Sequence, residues 1–429
     1  MARSRSPKDR ARSLRKRRSA PRIAAAIAVL GAAAVLGLWV AVNRVAWLGP
    51  YVADGLRAVI GVDAVASLED FAYRVQDRVN RVWRRGEKPR AYWSVPKAKS
   101  QPVALPAQTP AVEPERVEEI PPFTLKDVGP VHKEWSAPGD GQWVPMADSD
   151  HPGQPTHMEK TLLHPDKNRS WAEVFVVAVD LRRTRLYLVP GTKEPAATEE
   201  AAQGIERPGS IAKEHREHAL AAFNGGFKTE HGQYGLALDG VTYVKPKLGV
   251  CAIARYKDDT VRLALWDKLA ADEGNMAFWR ETPVCMYEDD KLHFRLADES
   301  LAKKWGATLD GETVIRRSAV GIDRTGSVLF VAISNHTTAR VIADGVHHAG
   351  ATTVAQLDVN FSYPKFVTFE KKKHPKDGEE PKRIALALAD GFEFSEDEYI
   401  REPARRDFFY LMPKSADLRT ALDNVKPRP

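Results

Sequence analysis

Apolar and polar positions along this chain change period several times, and each change marks a different kind of element. Between Ile23 and Val42 the run "IAAAIAVLGAAAVLGLWVAV" is uncharged and has no polar face. Its length predicts one helix able to cross a bilayer. Over residues 50–85, Val52, Leu56, Val59, Ile60, Phe71, Val75, Val79 and Val82 recur at helical spacing. Arg74, Arg78, Arg81, Arg84 and Arg85 lie among them. That pattern predicts one or two amphipathic helices. Residues 96–130 are rich in Pro, Ala, Val and Glu without a period, as in a semi-extended linker.

Beyond the linker the alternation is mostly that of strands. Residues 171–191 read as two strands around a polar turn, and 217–227 as a helix-to-strand approach ending in a Gly-rich corner. "YGLALDGVTY" (234–243) has an Asp-Gly turn between apolar runs, the signature of a hairpin. Residues 248–266, 318–334 and 366–389 read as three more hairpins, the last around a charged loop. One unit differs. "VLFVAIS" (328–334) is a strand, Thr337 or Thr338 can cap a helix that ends at Gly350, and "TTVAQLDV" (352–359) is the next strand. Strand, helix, strand with short loops predicts a βαβ unit with parallel strands. Ligands collect at the carboxyl ends of such strands. Here those ends are Ser334-Asn335-His336 and Asp358-Val359-Asn360.

The expected fold class is therefore α+β: a mixed β-sheet core with hairpins and one βαβ unit, preceded by a single transmembrane helix. The expected parts are a basic cytoplasmic tail (1–22), an anchor (23–47), juxtamembrane amphipathic helices (48–95), a Pro-rich linker (96–134), the main domain (135–415) and a C-terminal tail (416–429).

Charge sharpens this picture. Residues 1–22 hold ten Lys or Arg and one acid, +9 in all, so against a total of +7 the rest of the 429-residue chain sums to −2. A nucleic-acid binder needs a basic face on the fold itself, which argues against DNA or RNA as partners. Arg22 and Arg44 flank the apolar run, and Trp39 and Trp47 stand at interfacial positions. The basic side stays in the cytoplasm, so the expectation is an inner-membrane, single-pass protein whose domain is periplasmic or extracellular. A cleaved signal peptide is the rival, but the basic region and the apolar stretch are both long for one. Residues 50–85 could lie on lipid, pair with a second copy or pack on the domain. Cys251 and Cys285 are either one disulfide or two buried thiols. No Cys/His cluster is present, and neither a metal nor a cofactor is read from the sequence.

The segments "AAFNGGF", "YGLALDG", "RRSAVGIDRTGSVLFVAIS" and "LDVNFS" occur in an order that resembles the phosphodiester glycosidase family. That family includes the enzyme that removes N-acetylglucosamine from a phosphodiester to uncover mannose 6-phosphate, and bacterial exopolysaccharide-associated members. The resemblance covers roughly residues 170–370. It implies a mixed α/β core and hydrolysis of a sugar linked through phosphate. The family's strand usually ends in Leu-Asp-Gly-Gly-Gly-Ser. Leu357, Asp358 and Ser362 match, whereas Val359, Asn360 and Phe361 stand for the glycines.

The candidate site follows. Asp358, a carboxylate at a strand end among apolar neighbours, is the expected nucleophile, base or charge stabiliser. His231 and His336 are candidate acids or bases near neutral pH. Asn224, Gly225 and Gly226 could aim backbone N–H groups at an anion. Arg316 and Arg317 are strand neighbours, so one should face inward and the other solvent. Family position selects Arg317 as the phosphate ligand. Asn335, Asn360 and Ser362 complete the expected substrate-binding set. The leading expectation is a membrane-anchored hydrolase of phosphate-linked sugars in envelope or exopolysaccharide material. The alternatives are a non-catalytic glycan-binding or polysaccharide-assembly protein on the same fold, and a tethered partner protein that uses residues 50–85.

Overall fold

The computed structural model describes residues 62–95, 121–147, 156–302, 305, 312–359, 362–372 and 382–414, together with Gly31 and Gly37. The expected membrane span, most of the linker and the charged loop at 373–381 lie outside the described residues. No helix among the described residues is long and apolar enough to cross a membrane. The chain divides into two units, 1–65 and 66–429, and the second holds the sheets.

Helix α1 (Val62–Trp83) carries the part of the amphipathic pattern that falls on described residues, and 50–61 lie outside them. Gly86, at φ 82°, follows its end, a left-handed position that suits glycine and stops a helix. One face of α1 meets the body of the second unit. Asp77 accepts two hydrogen bonds from Arg169, 2.7 Å to Nε and 2.8 Å to Nη2. Tyr73 packs on a cluster of Phe227, Tyr234, Val250, Ile315 and Val359. Packing also starts ahead of residue 135. Phe123 is buried, Leu125 N–H donates to Glu159 Oε2 at 3.0 Å, and Tyr92 meets Phe175 edge to face.

Among the described residues the strands form three sheets. β1 (Val144–Pro145), β2 (Met158–Leu163) and β3 (Val174–Asp180) begin the first. β4 (Thr184–Val189) and β5 (Ala221–Asn224) belong to the second. The chain then builds the third from β6 (Leu236–Leu238), β7 (Val241–Val244), β8 (Cys251–Tyr256), β9 (Val261–Leu265) and β10 (Met276–Thr282), in the order β7-β6-β10-β8-β9. β11 (Tyr287–Glu288), β12 (Lys291–Leu292), β13 (Ile315–Ile322), β14 (Val328–Thr337), helix α2 (Ala339–His348) and β15 (Thr353–Val359) return to the first sheet, in the order β1-β2-β3-β14-β13-β15-β11-β12. β16 (Phe366–Lys371), β17 (Arg383–Ala387) and β18 (Phe408–Pro413) complete the second, in the order β17-β16-β5-β18-β4. The architecture is α+β with sheets dominant.

The hairpins form where the alternation and turn residues indicate. Asp239 and Gly240 both take positive φ between β6 and β7, as a two-residue turn that follows strand twist requires. Asp323 closes the β13–β14 turn by accepting N–H donations from Thr325 and Val328. The polar turn at 181–183 behaves differently: β3 and β4 enter separate sheets. Asp180, fully buried, anchors that corner through Arg182 and Arg183.

The unit β14–α2–β15 exists, capped as expected by Thr338, whose Oγ1 accepts from Val341 N–H at 3.2 Å. β14 and β15 each pair antiparallel with β13, so they run parallel to one another with β13 between them. Helix α2 covers one face of the first sheet. Ala339, Ile342, Ala343 and Val346 pack there on Val174, Val176, Ala319 and Val354. The opposite face meets the other two sheets in the main core, which includes Phe175, Val331 and Leu357 from the first sheet, Phe223 and Phe409 from the second, and Ile253 and Phe278 from the third. Cys251 and Cys285 form a disulfide, with Cα atoms 4.8 Å apart.

Candidate functional site

At the carboxyl end of β15 the first sheet meets the end of β5, in the second sheet. Arg317 of β13 is in register with both Ser334 of β14 and Val359 of β15. Between Arg317 and Ala319, two steps on β13 span three on β15, from Val359 to Gln356. That is a β-bulge, which re-aims the strand locally. Asp358 lies inside it. Its N–H donates to Gly225 O at 3.1 Å, and its carbonyl accepts from Ser318 Oγ at 2.9 Å. Asn224 Nδ2 donates to the same Ser318 Oγ at 2.8 Å, while Asn224 Oδ1 accepts from Lys365 N–H at 3.1 Å. Asn224 therefore stitches the end of β5 to β13 and to the approach to β16.

The Asp358 carboxylate is ion-paired with Arg406 Nη1. Burial pushes its pKa up, and the Arg406 guanidinium opposes that shift. Arg406 lies 4.6 Å over the Tyr363 ring, and Tyr363 OH donates to Asp407 O at 3.1 Å. The next residue along makes a second pair. Asp407 Oδ2 accepts from Arg280 Nε at 2.8 Å and from Gly226 N–H at 3.0 Å. Arg280 also donates to Tyr234 O at 2.9 Å and Phe227 O at 2.6 Å. Arg406-Asp407 thus reaches two ways just before β18, to a carboxylate of the first sheet and to a guanidinium of the third.

The two pairs differ in exposure. The Arg280 and Asp407 side chains are 0% and 1% exposed, and their remaining donors and acceptors are met by backbone. Removing one partner of such a buried pair costs about 3–5 kcal/mol, which marks this pair as part of the framework. Arg406 is 14% exposed over an Asp358 at 2%. Arg406 is the more exposed member of its pair.

The other expected site residues divide. Gly225 and Gly226 do adjoin Asp358, but their N–H groups are already used: Gly225 N–H goes to Asp407 O at 2.9 Å and Gly226 N–H to the Asp407 carboxylate. The anion in this nest is the chain's own. A Cβ on Gly226 would lie 2.7 Å from the Arg280 guanidinium carbon, so the glycine here serves close packing. Arg317 corrects the expectation of a phosphate ligand. It is fully buried and donates to Thr337 O, Thr313 O and Gln356 Oε1. Arg316 does not face solvent either. It is buried against Phe392, donating to Asn335 Oδ1 at 2.7 Å and Gly391 O at 2.6 Å and pairing with Glu393. Both strand faces are covered here, so alternation could not send one arginine to water.

His336 stands in this second patch. Burial, with Arg84 and Arg316 adding to it, holds its pKa down to about 4, below the near-neutral range expected of it. His231 lies in a 3₁₀ turn (Thr229–His231) after the Gly-rich corner, its Nε2 3.4 Å from Glu230 Oε1. Ser362 is half-buried, and Asn360, like Phe361, lies outside the described residues.

Sequence reasoning missed Arg280, Tyr363, Arg406 and Asp407. Two signals were present. Arg280 interrupts the apolar strand "AFWRET", and "RRD" immediately precedes the apolar "FFYLM"; a charge set in such surroundings needs a partner. Tyr399 was missed as well. It is buried at φ 62° with an OH that has no hydrogen-bond partner, stacked on Phe408 at 4.1 Å. Among the described residues no group of three or more His, Cys, Asp or Glu could hold a metal.

No family model matches the chain, and no curated protein matches it. Solved structures similar over part of it include the following two. One is a hypothetical protein from Synechocystis, 10% identical, covering 60% of this chain and 62% of its own, with a TM-score of 0.32. The other is a candidate exported protein from Burkholderia pseudomallei, 12% identical, covering 61% of this chain and 75% of its own, with a TM-score of 0.27. The match thus spans less than two thirds of the Synechocystis chain. At those scores neither likeness carries an argument about fold or function.

Proposed function

We propose that this chain is a membrane-anchored, phosphodiester glycosidase-like hydrolase acting on phosphate-linked sugars outside the cytoplasm. The observation that carries the reading is the Asp358–Arg406 pair, a buried carboxylate under a partly exposed guanidinium at the end of β15. Sugar transfer passes through an oxocarbenium-like state that a carboxylate stabilises or traps. A phosphate leaving group needs little protonation, so one carboxylate and one cation suffice in outline. Arg406 binds the phosphodiester; its guanidinium matches two phosphate oxygens at once. That contact draws Arg406 from Asp358 and leaves the carboxylate facing the anomeric carbon. The bond from that carbon to the phosphate oxygen breaks, the phosphate monoester departs with the electron pair, and water supplies the new hydroxyl. The disulfide supports an oxidising compartment.

A second reading has its own support. The Gly225, Gly226 and Arg317 donors are occupied within the protein, leaving fewer groups for a transition state than the resemblance implies. A glycan-binding or polysaccharide-assembly protein needs no more than Arg406 and its surroundings. Turnover separates the two. Wild type should release sugar from a sugar phosphodiester, and Asp358→Asn should lose at least about a hundredfold in rate while keeping its fold by circular dichroism. Ligand binding by wild type without any release would leave the binding reading.

A further inference from the structure

The helix α1 has a face that the protein body does not cover. Phe71 is 61% exposed and Val82 68%, with Val75 and Val79 also exposed and Trp83 open at the helix end. At about 100° per residue, Phe71, Val82, Val75 and Val79 fall within about 80° of arc. Arg78, Arg74 and Arg81 fill roughly the next 80°, and all three are exposed. The inward arc holds Tyr73 and Asp77, which fasten the helix to the body. A four-residue apolar stripe edged by an arginine ridge is therefore presented outward by a helix whose other side is fixed.

We propose that this stripe lies in the interface of an anionic lipid bilayer, with the arginine ridge at the level of the headgroups. Three observations favour lipid. Nineteen residues separate the uncharged run at 23–42 from the start of α1 at Val62. At roughly 3.3–3.6 Å per extended residue, that connection tethers α1 within about 70 Å of any membrane the run enters. Interfacial helices combine a narrow apolar face with Arg or Lys beside it and aromatic residues at their edge, and Trp83 is placed accordingly. Arg74, Arg78 and Arg81 suit anionic headgroups, and Arg81 also pairs with Asp77 at 3.1 Å.

The seating would hold the sheets at a fixed orientation to the bilayer, because Asp77–Arg169 and Tyr73 tie α1 to the body. It does not depend on the glycosidase reading, and a failure of either leaves the other standing.

The test uses the full chain reconstituted in vesicles, at most one chain per vesicle, with an environment-sensitive dye on Val79→Cys. A second label on Arg262→Cys, at an exposed position of β9, serves as the reference. In vesicles containing phosphatidylglycerol, the Val79 probe should shift to the blue, lose most of its iodide quenching and be quenched by nitroxide placed high on the acyl chain. The Arg262 probe should stay open to iodide. Combining Arg74→Glu and Arg78→Glu should reverse the protection at Val79. A Val79 probe as open to iodide as the Arg262 probe would overturn the proposal. Protection without nitroxide quenching would overturn it too, by placing protein rather than lipid over the stripe.

Discussion

Asp358 and Asp407 are both buried carboxylates paired with arginine, yet their settings give them different uses. Arg280 has its donors divided among Asp407 and four backbone carbonyls, so nothing remains for a ligand. Arg406 is partly exposed, and the proposed phosphate contact falls to it. His336 has a measurable signature of its own. Its folded pKa is about 4 against an ordinary 6.5, so below pH 6.5 the unfolded chain takes up a proton that the native chain refuses. The stability this residue contributes is complete above 6.5 and is lost as pH falls toward 4. His336→Gln should flatten that limb, narrowing the gap between urea midpoints measured at about pH 7 and about pH 5. An unchanged gap would mean that His336 is not held neutral. Asp358 was legible in the sequence because a carboxylate among apolar strand residues stands out. Its partner was not, because Arg406 lies 48 positions away and periodicity says nothing about which distant strand approaches.

At the scale of elements, alternation and turn residues located the hairpins well, since those pairings are local. The insertion of β13 between β14 and β15 was not visible. A βαβ pattern fixes the direction of its two strands and leaves open what lies between them. That insertion buries both Arg316 and Arg317, which single-strand alternation would have separated. The bulge in β15 likewise follows from three-dimensional pairing. It frees Asp358 N–H to reach Gly225. The disulfide from β8 to the segment after β10 closes a loop of sequence separation 34. By loop-closure entropy it should contribute about 4 kcal/mol. Guanidinium unfolding of the Cys251→Ser, Cys285→Ser variant should show a loss of that order, and a loss below about 1 kcal/mol would mean that the bond is not formed in solution.

At the scale of the molecule, the second unit joins three sheets in one core, with α1 fastened beside the cluster that contains Val359. Composition foretold the uneven charge, and the helical period at 71–82 foretold α1. Which side of α1 faces the body could be read only once Asp77 and Arg169, 92 positions apart, were seen together. The central claim is that the exposed end of the Asp358–Arg406 pair cleaves the bond between an anomeric carbon and a phosphate oxygen. Hydrolysis of a sugar phosphodiester in heavy-oxygen water, read by mass spectrometry of both products, tests it most directly. The account predicts heavy oxygen in the released sugar and none in the phosphate monoester, with no release by Asp358→Asn. Heavy oxygen in the phosphate, or no release by the wild type, would contradict it.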